Sequence, residues 1–266
     1  MEFKGKNIVV TGGASGIGEA LVHRAKQEEP AQIVVADRDG TKARAVAGAV
    51  GGLGVEADLG TEAGVLKLIA EAEKFGPIDI FCSNAGITGP HGGPEASDEE
   101  WRTTMDINVM AHVWAARELL PKMIERGEGH LNSTASAAGL LCGMGTMAYT
   151  VSKAAAVGVA EYLAVTYGGR GVSFSCFCPQ AVSTPMLAVV ADDPMTMSVN
   201  RAGDTITPAE AGDAIVNGIK DGKFLILSHP EVRTYRQRKV DDPERWIAGM
   251  QRVQAKIDAA EAAARK

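Results

Sequence analysis

Thr11-Gly12-Gly13-Ala14-Ser15-Gly16-Ile17-Gly18 follows directly on the β-branched run Asn7–Thr11 and opens a stretch of helical period. Glycines at a strand-to-helix turn let the backbone approach a pyrophosphate, and the helix N-terminus turns free N–H groups and a positive dipole end toward it. The spacing is T-G-x3-G-x-G, not the commoner G-x-G-x-x-G. In a chain with 31 glycines such a cluster also fits a plain tight turn; the strand before it and the helix after it make it a dinucleotide-binding loop.

Asp37 closes the next strand, 19 residues beyond Gly18. A carboxylate there can accept hydrogen bonds from the adenosine ribose hydroxyls and repels a 2′-phosphate. Arg38 pulls the other way, since a guanidinium pairs with phosphate. The carboxylate facing a dianion decides for NAD over NADP, although an Asp ending a strand also serves as a simple cap.

Beyond the loop, short β-branched runs alternate with longer segments of helical period, the pattern of repeated βαβ units in a mostly parallel sheet covered on both faces. Strands are expected near Asn7–Thr11, Gln32–Ala36, Gly54–Ala57, Ile78–Cys82, His130–Ala135, Val172–Cys178 and Phe224–Leu227. Helices are expected near Gly16–Glu29, Thr41–Val50, Glu62–Phe75, Asp98–Arg126, Ala148–Tyr167 and Pro208–Asp221. Ser183–Ile206 and the tail from Ser228 escape the pattern. No repeat, low-complexity tract or linker divides the chain, so residues 1–230 read as one unit that includes 183–206, with 231–266 as its helical tail.

At 266 residues, 45% hydrophobic and 23% charged, the chain has a globular composition. The net charge of -6 gives no field that would gather nucleic acid or an anionic membrane surface. No apolar run reaches the ~20 residues of a membrane span. Cys82, Cys142, Cys176 and Cys178 form neither a disulfide framework nor the paired C-x2-C of a zinc site, so no metal is expected. The N-terminus lacks a secretory h-region, and the expectation is a reduced cytoplasmic protein.

Tyr149-x-x-x-Lys153 places a phenol and an ammonium on one face of a helix. The motif is short, and Tyr235-x-x-x-Lys239 repeats it. Ser136, 13 residues before Tyr149 and at a strand end, distinguishes the first copy; the same offset before Tyr235 falls on Gly222.

With these residues in view, Lys6 to about Leu227 resembles the classical short-chain dehydrogenase/reductase family. The matching motifs are the Thr11–Gly18 loop, Asp58-Leu59, Asn84-Ala85-Gly86, Asn108, Ser136 before Ala137-Ala138-Gly139, and Tyr149-x-x-x-Lys153, all in order. The resemblance implies a single-domain Rossmann-type doubly wound parallel sheet of about seven strands. It also implies a catalytic tetrad of Asn108, Ser136, Tyr149 and Lys153. Cofactor contacts are implied at Gly12, Ser15, Gly16, Ile17, Gly18, Asp37, Asp58, Leu59, Asn84, Ala85, Gly86, Tyr149, Lys153, Pro179, Val182 and Thr184.

The implied activity is NAD-dependent interconversion of a secondary alcohol and its ketone. Tyr149, its phenolate stabilised by Lys153 and the cationic nicotinamide, takes the alcohol proton; Ser136 holds the substrate oxygen, and Asn108 orders a water linking Lys153 to solvent. Two alternatives share the fold: an NADP-dependent carbonyl reductase, and a non-catalytic NAD-binding sensor or scaffold, which would need neither Tyr149 nor Ser136.

The family pattern is broken in three places. Asn132 stands one position early with Ser133 in its place, Gln180 follows Pro179 where a glycine is usual, and the tail beyond Pro230 matches no motif. Gln180 either adopts an ordinary backbone angle or reshapes the pocket wall.

The resemblance also implies a substrate loop over 183–206, and its Met186, Leu187, Val189, Val190, Met195 and Met197 suit a compliant apolar pocket or packing on a neighbouring helix. Among the histidines only His91 is expected near the site; the others read as surface or packing residues. Arg233, Arg236, Arg238 and Lys239, followed by Asp241, Asp242 and Glu244, read as a solvated surface. In the tail, Trp246, Met250, Val253 and Ile257 form one helical stripe. It should bury against a second subunit of a homo-oligomer, a tetramer or dimer, or lie on its own subunit as a lid. The implied partner is a fairly apolar small-molecule substrate, with no nucleic acid and no membrane.

Overall fold

The structure, a computed structural model, describes residues 1–189 and 204–264. Alternating apolar residues build the strands: Ile8 and Val10 point into one core, Val9 into the other. The strands are β1 (Asn7–Thr11), β2 (Gln32–Asp37), β3 (Leu53–Glu56), β4 (Ile80–Ser83), β5 (Gly129–Thr134), β6 (Val172–Phe177) and β7 (Leu225–Ile226). They form one seven-stranded sheet, every described pair parallel, in the order β3-β2-β1-β4-β5-β6-β7. The order reverses between β1 and β4, and open α/β sheets bind ligands in the crevice beyond the carboxyl ends of their strands at such a point.

The helices are α1 (Gly16–Lys26), α2 (Gly40–Val50), α3 (Glu62–Glu73), α4 (Asp98–Met105), α5 (Ala111–Arg126), α6 (Ala137–Leu141), α7 (Met147–Tyr167), α8 (Pro185–Val189), α9 (Pro208–Lys220), α10 (Glu231–Asp241) and α11 (Pro243–Ala264). Leu21 and Val22 of α1, Val46 of α2 and Ile215 of α9 cover one face of the sheet. Leu68 and Ile69 of α3 and Leu119 and Met123 of α5 cover the other. This is the doubly wound arrangement read from the sequence.

Several boundaries differ. The expected Asp98–Arg126 helix is interrupted by a π turn over Asp106–Met110. The short α6 and α8 were not foreseen, and β7 shrinks to two residues. Val190, Met195 and Met197 lie outside the described residues.

One row of the sheet is polar and, apart from the exposed Ser173, buried. His130 (β5) meets the hydroxyls of Ser173 and Ser175 (β6) through its two ring nitrogens, each at 2.8 Å, and Ser175 Oγ donates to Asn132 Oδ1 at 2.8 Å. A buried polar row is tolerated when its members hydrogen-bond one another.

The tail folds back on the domain. Val232 of α10 is fully buried in a small cluster with Leu140, Ala156, Ala160, Cys176 and Cys178. Lys239, half-buried, donates to the Leu140 carbonyl at the end of α6 at 2.9 Å, so it belongs to the fold and not to the solvated cluster. In α11, Trp246, Met250 and Val253 are half-buried and Ile257 is buried within the single chain.

Candidate active site

Beyond the ends of β1, β4, β5 and β6 lies a cavity of ≈ 500 Å³. Gly12, Ser15, Gly16, Ile17, Asp37, Arg38, Asp58 and Leu59 line one end; Ser136, Tyr149, Lys153, Pro179, Val182 and Thr184 line the other, with Asn84, Ala85 and Gly86 between.

The glycine loop is shaped by close approach. Gly12 has φ +61, and a Cβ on it would stand 2.8 Å from Ala85 Cα; a Cβ on Gly18 would stand 2.1 Å from the Gly12 carbonyl oxygen. No side chain larger than hydrogen fits these positions. Ser15, extended before α1, makes no side-chain cap bond, leaving the helix N-terminus open to the cavity.

Thr11 and Asn84 fasten this loop to β4. The Thr11 hydroxyl donates to the Cys82 carbonyl (3.3 Å) and accepts from the N–H of Asn84 (2.8 Å) and Ala85 (3.1 Å). The Asn84 side chain donates to the Thr11 carbonyl at 3.0 Å, so it holds the loop from behind. Asp37 also has structural work: its carboxylate accepts from the N–H of Ala14 (3.3 Å) and Asp39 (3.1 Å) while lining the cavity. Asp58 closes its own turn by accepting from Gly60 N–H at 3.0 Å.

At the other end, Ser136 caps α6 by accepting from Ala138 N–H at 3.1 Å, which fixes it at the mouth of β5. Tyr149 and Lys153 share a face of α7, with the Lys153 ammonium 5.7 Å from the centre of the Tyr149 ring. Lys153 is buried and donates to the Thr134 carbonyl at 3.0 Å. Burial lowers its pKa to about 8, with the Cys178 and Cys176 thiols acting in the opposite sense.

Tyr149 is half-buried as a residue because it borders the cavity, yet burial of its phenol raises its pKa; Ser136 opposes this through a hydrogen bond.

Asn108 sits in the π turn, fully buried. Its Nδ2 donates to the Ile87 carbonyl (2.9 Å) and to Ser152 Oγ (2.9 Å), and its Oδ1 accepts from Ile87 N–H (2.9 Å). The wider turn sets this side chain inward against the loop after β4, and such turns recur at functional sites. A Cβ on Gly86 would come within 3.1 Å of Asn108 Oδ1 and 3.3 Å of Lys153 Nζ. The glycine keeps a gap between those two groups.

Gln180 is absent from the positive-φ residues, so it adopts an ordinary angle and needs no glycine's freedom. His91 lines the cavity as expected. Three other histidines are buried: His112 and His130 inside the domain, and His229 at the junction of the tail, where it bonds to the backbone of Gln180 and Asp204. Nothing in the sequence around His229 marks that junction. Leu141, Cys142, Met144, Met186 and Leu187 give the open rim an apolar lining. Among the described residues no group of His, Cys, Asp or Glu could hold a metal ion, and no helix is long and apolar enough to cross a membrane.

Comparison with known proteins agrees with this geometry. A model of the short chain dehydrogenase family matches residues 6–194. The 1-deoxy-11-beta-hydroxypentalenate dehydrogenase of Streptomyces exfoliatus is 35% identical over 259 residues, covering 93% of this chain and 92% of that protein. The 2,5-dichloro-2,5-cyclohexadiene-1,4-diol dehydrogenase of Sphingobium indicum is 35% identical over 237 residues, covering 85% and 94%. A Burkholderia phymatum short chain dehydrogenase/reductase solved in complex with NAD superposes with TM-score 0.83 at 27% identity, over 92% of this chain and 96% of that one. A seven-stranded parallel sheet with a glycine loop at its switch point, a matching family model and a relative alignable over nearly the whole chain lead to one conclusion: the chain belongs to the short chain dehydrogenase family of oxidoreductases.

Proposed function

We propose that this chain interconverts a ring-borne secondary alcohol and its ketone with NAD as the hydride carrier and Tyr149 as the general base. One observation carries the reading: Ser136, Tyr149 and Lys153 close one end of a cavity whose other end is the glycine loop with Asp37. The volume suits a dinucleotide, and the glycines let the loop pack tightly against the residues after β4 while Gly12 and Gly16 line the cavity.

Gly12, Ser15, Gly16, Ile17 and Gly18 would hold the pyrophosphate, and Asp37 the adenosine ribose. Asp58 and Leu59 would flank the adenine, and Asn84, Ala85 and Gly86 would line the path between. Tyr149 and Lys153 would hold the second ribose, with Pro179, Val182 and Thr184 around the nicotinamide. The bound cofactor supplies the hydride acceptor.

The chain's own groups handle the proton. Tyr149 takes it from the alcohol, while Ser136 donates a hydrogen bond to the substrate oxygen. Lys153, its pKa lowered to about 8 and its ammonium donating to the Thr134 carbonyl, can hand a proton onward through the gap beside Gly86 toward Asn108. The apolar rim, and relatives named for a hydroxypentalenate and a cyclohexadiene-1,4-diol, support a compact, largely apolar ring substrate.

Residues 1–230 form the catalytic unit in this reading, and 231–266 are a helical tail of the same domain. The four free cysteines fit a reducing cytoplasm. Val151, Tyr162 and Val165 stay exposed on the outer side of α7 and support a homo-oligomer, a tetramer or dimer. Light scattering that returned a monomer at working concentration would remove that assignment.

The cofactor choice rests on Asp37. We expect the ratio of kcat/KM for NAD over NADP to fall by about tenfold or more in Asp37→Ala, since a carboxylate that repels the 2′-phosphate is removed. An unchanged ratio sinks the NAD assignment.

A further inference from the structure

One peptide bond in the cavity wall is held at both ends. The Pro179 carbonyl accepts from the N–H of Ala137, next to Ser136, at 2.8 Å. The N–H of the same peptide, that of Gln180, donates to His229 Nδ1 at 3.3 Å. His229 is buried to 3% exposure, and its Nε2 lies 2.9 Å from the Asp204 carbonyl oxygen. A carbonyl only accepts, so Nε2 carries the proton and Nδ1 is the acceptor. Nδ1 serves Gln180 N–H together with the Ser228 hydroxyl at 2.9 Å.

The imidazole thus joins three separate stretches: the end of β6, the backbone leading into α9, and the start of the tail. Backbone pairing tightens the same corner, with Ser183 N–H donating to the Ile206 carbonyl (2.9 Å) and Ile206 N–H to that of Ala181 (3.1 Å). The Pro179–Gln180 peptide thus has its orientation set by the Ala137 N–H on one side and by His229 on the other.

We propose that His229 is a positioning residue: it sets the plane of the Pro179–Gln180 peptide and so places the Pro179–Thr184 wall against the nicotinamide end of the cofactor. This rests on the proposed reading that a nicotinamide dinucleotide occupies the cavity. His229 touches neither substrate nor reacting atoms in this scheme. Its effect should be confined to the nicotinamide half of the site, because the glycine loop and Asp37 are held by their own bonds to Thr11, Asn84, Ala14 and Asp39.

ADP-ribose, which lacks the nicotinamide, separates that half from the rest. In His229→Phe, which keeps the ring and removes the hydrogen bonds, the Kd for NADH should rise about tenfold while that for ADP-ribose stays within about twofold. His229→Gln, which restores an acceptor and a donor, should recover most of the loss.

Equal weakening of both ligands, or no change in either, overturns the positioning role. Failure of the intact chain to bind either ligand overturns the cofactor reading itself. Nitrogen NMR of the histidine-labelled intact chain adds a readout that needs no variant. The His229 Nδ1 resonance should move when NADH is added and stay in place with ADP-ribose; the same response to both, or none, also overturns it.

Discussion

Tyr149→Phe lowers kcat by on the order of 10³-fold or more and leaves the NADH dissociation constant within a few fold. In the proposed reading the phenol is the group that takes the substrate's proton, whereas the proposed cofactor contacts are spread along the whole cavity. Because burial raises its pKa, Tyr149 holds its proton at neutral pH in the resting chain, the form that can reduce a ketone. Alcohol oxidation should therefore gain rate as pH rises and ketone reduction should lose it, measured as NADH absorbance in each direction. Tyr235→Phe is the control and should keep most activity, since the partner lysine of that motif is spent on the Leu140 carbonyl. Comparable damage from both substitutions would show that the wrong copy of the motif was chosen.

The second large effect concerns stability in acid. Burial pushes His112 and His130 down to about 3, assisted by Lys153 for the first and by the N-terminal amine for the second. Both are neutral when folded, and unfolding restores an ordinary imidazole near ~6.5. Between those values the unfolded chain binds more protons, so stability rises with pH across that window. It is fully present above about 6.5 and is lost progressively as pH falls toward 3. At pH 5 the loss is about 2 kcal/mol for each histidine, about 4 kcal/mol together, a large part of an ordinary domain's stability. Urea unfolding at pH 7 and pH 5 measures it. His112→Gln with His130→Gln should be less stable at pH 7 yet flatten the change between the two pH values by about that amount. A variant that loses as much between pH 7 and 5 as the parent chain would refute the assignment.

Much of this was legible in the sequence because it depends on local pattern. The Thr11–Gly18 loop, the alternating strands and the i, i+4 spacing of Tyr149 and Lys153 each constrain a few adjacent residues, and the structure brings Gly12, Ser15, Gly16 and Ile17 of that loop to one cavity with Tyr149 and Lys153. What escaped depends on contacts between distant segments. Asn108 was named, but the π turn that orients it arises from its bonds to Ile87 and Ser152, which no helical period encodes. Lys239 looked like part of a solvated basic cluster until α10 was seen to pack beneath α6. His229 reads from the sequence as a surface or packing residue because its partners at Gln180 and Asp204 are backbone atoms, which leave no mark in the side-chain sequence. The tail stripe was found by period, and its burial within the same chain is tertiary information.

The polar row between β5 and β6 has a consequence at the far end of those strands. A slip of β6 by a single residue would turn Ser173 and Ser175 to the opposite face, strip both nitrogens of His130 of their partners and drive hydroxyls into an apolar cluster. Apolar strands alone would tolerate that error more readily, so the two strands are keyed to one alignment. Thr134, which anchors Lys153, and Pro179, which heads the cavity wall, stand at or just beyond the ends of this keyed pair. The spacing across the site is thereby gauged several residues below it, and a substitution at Ser175 would be felt as a misplaced wall before it was felt as a weakened sheet.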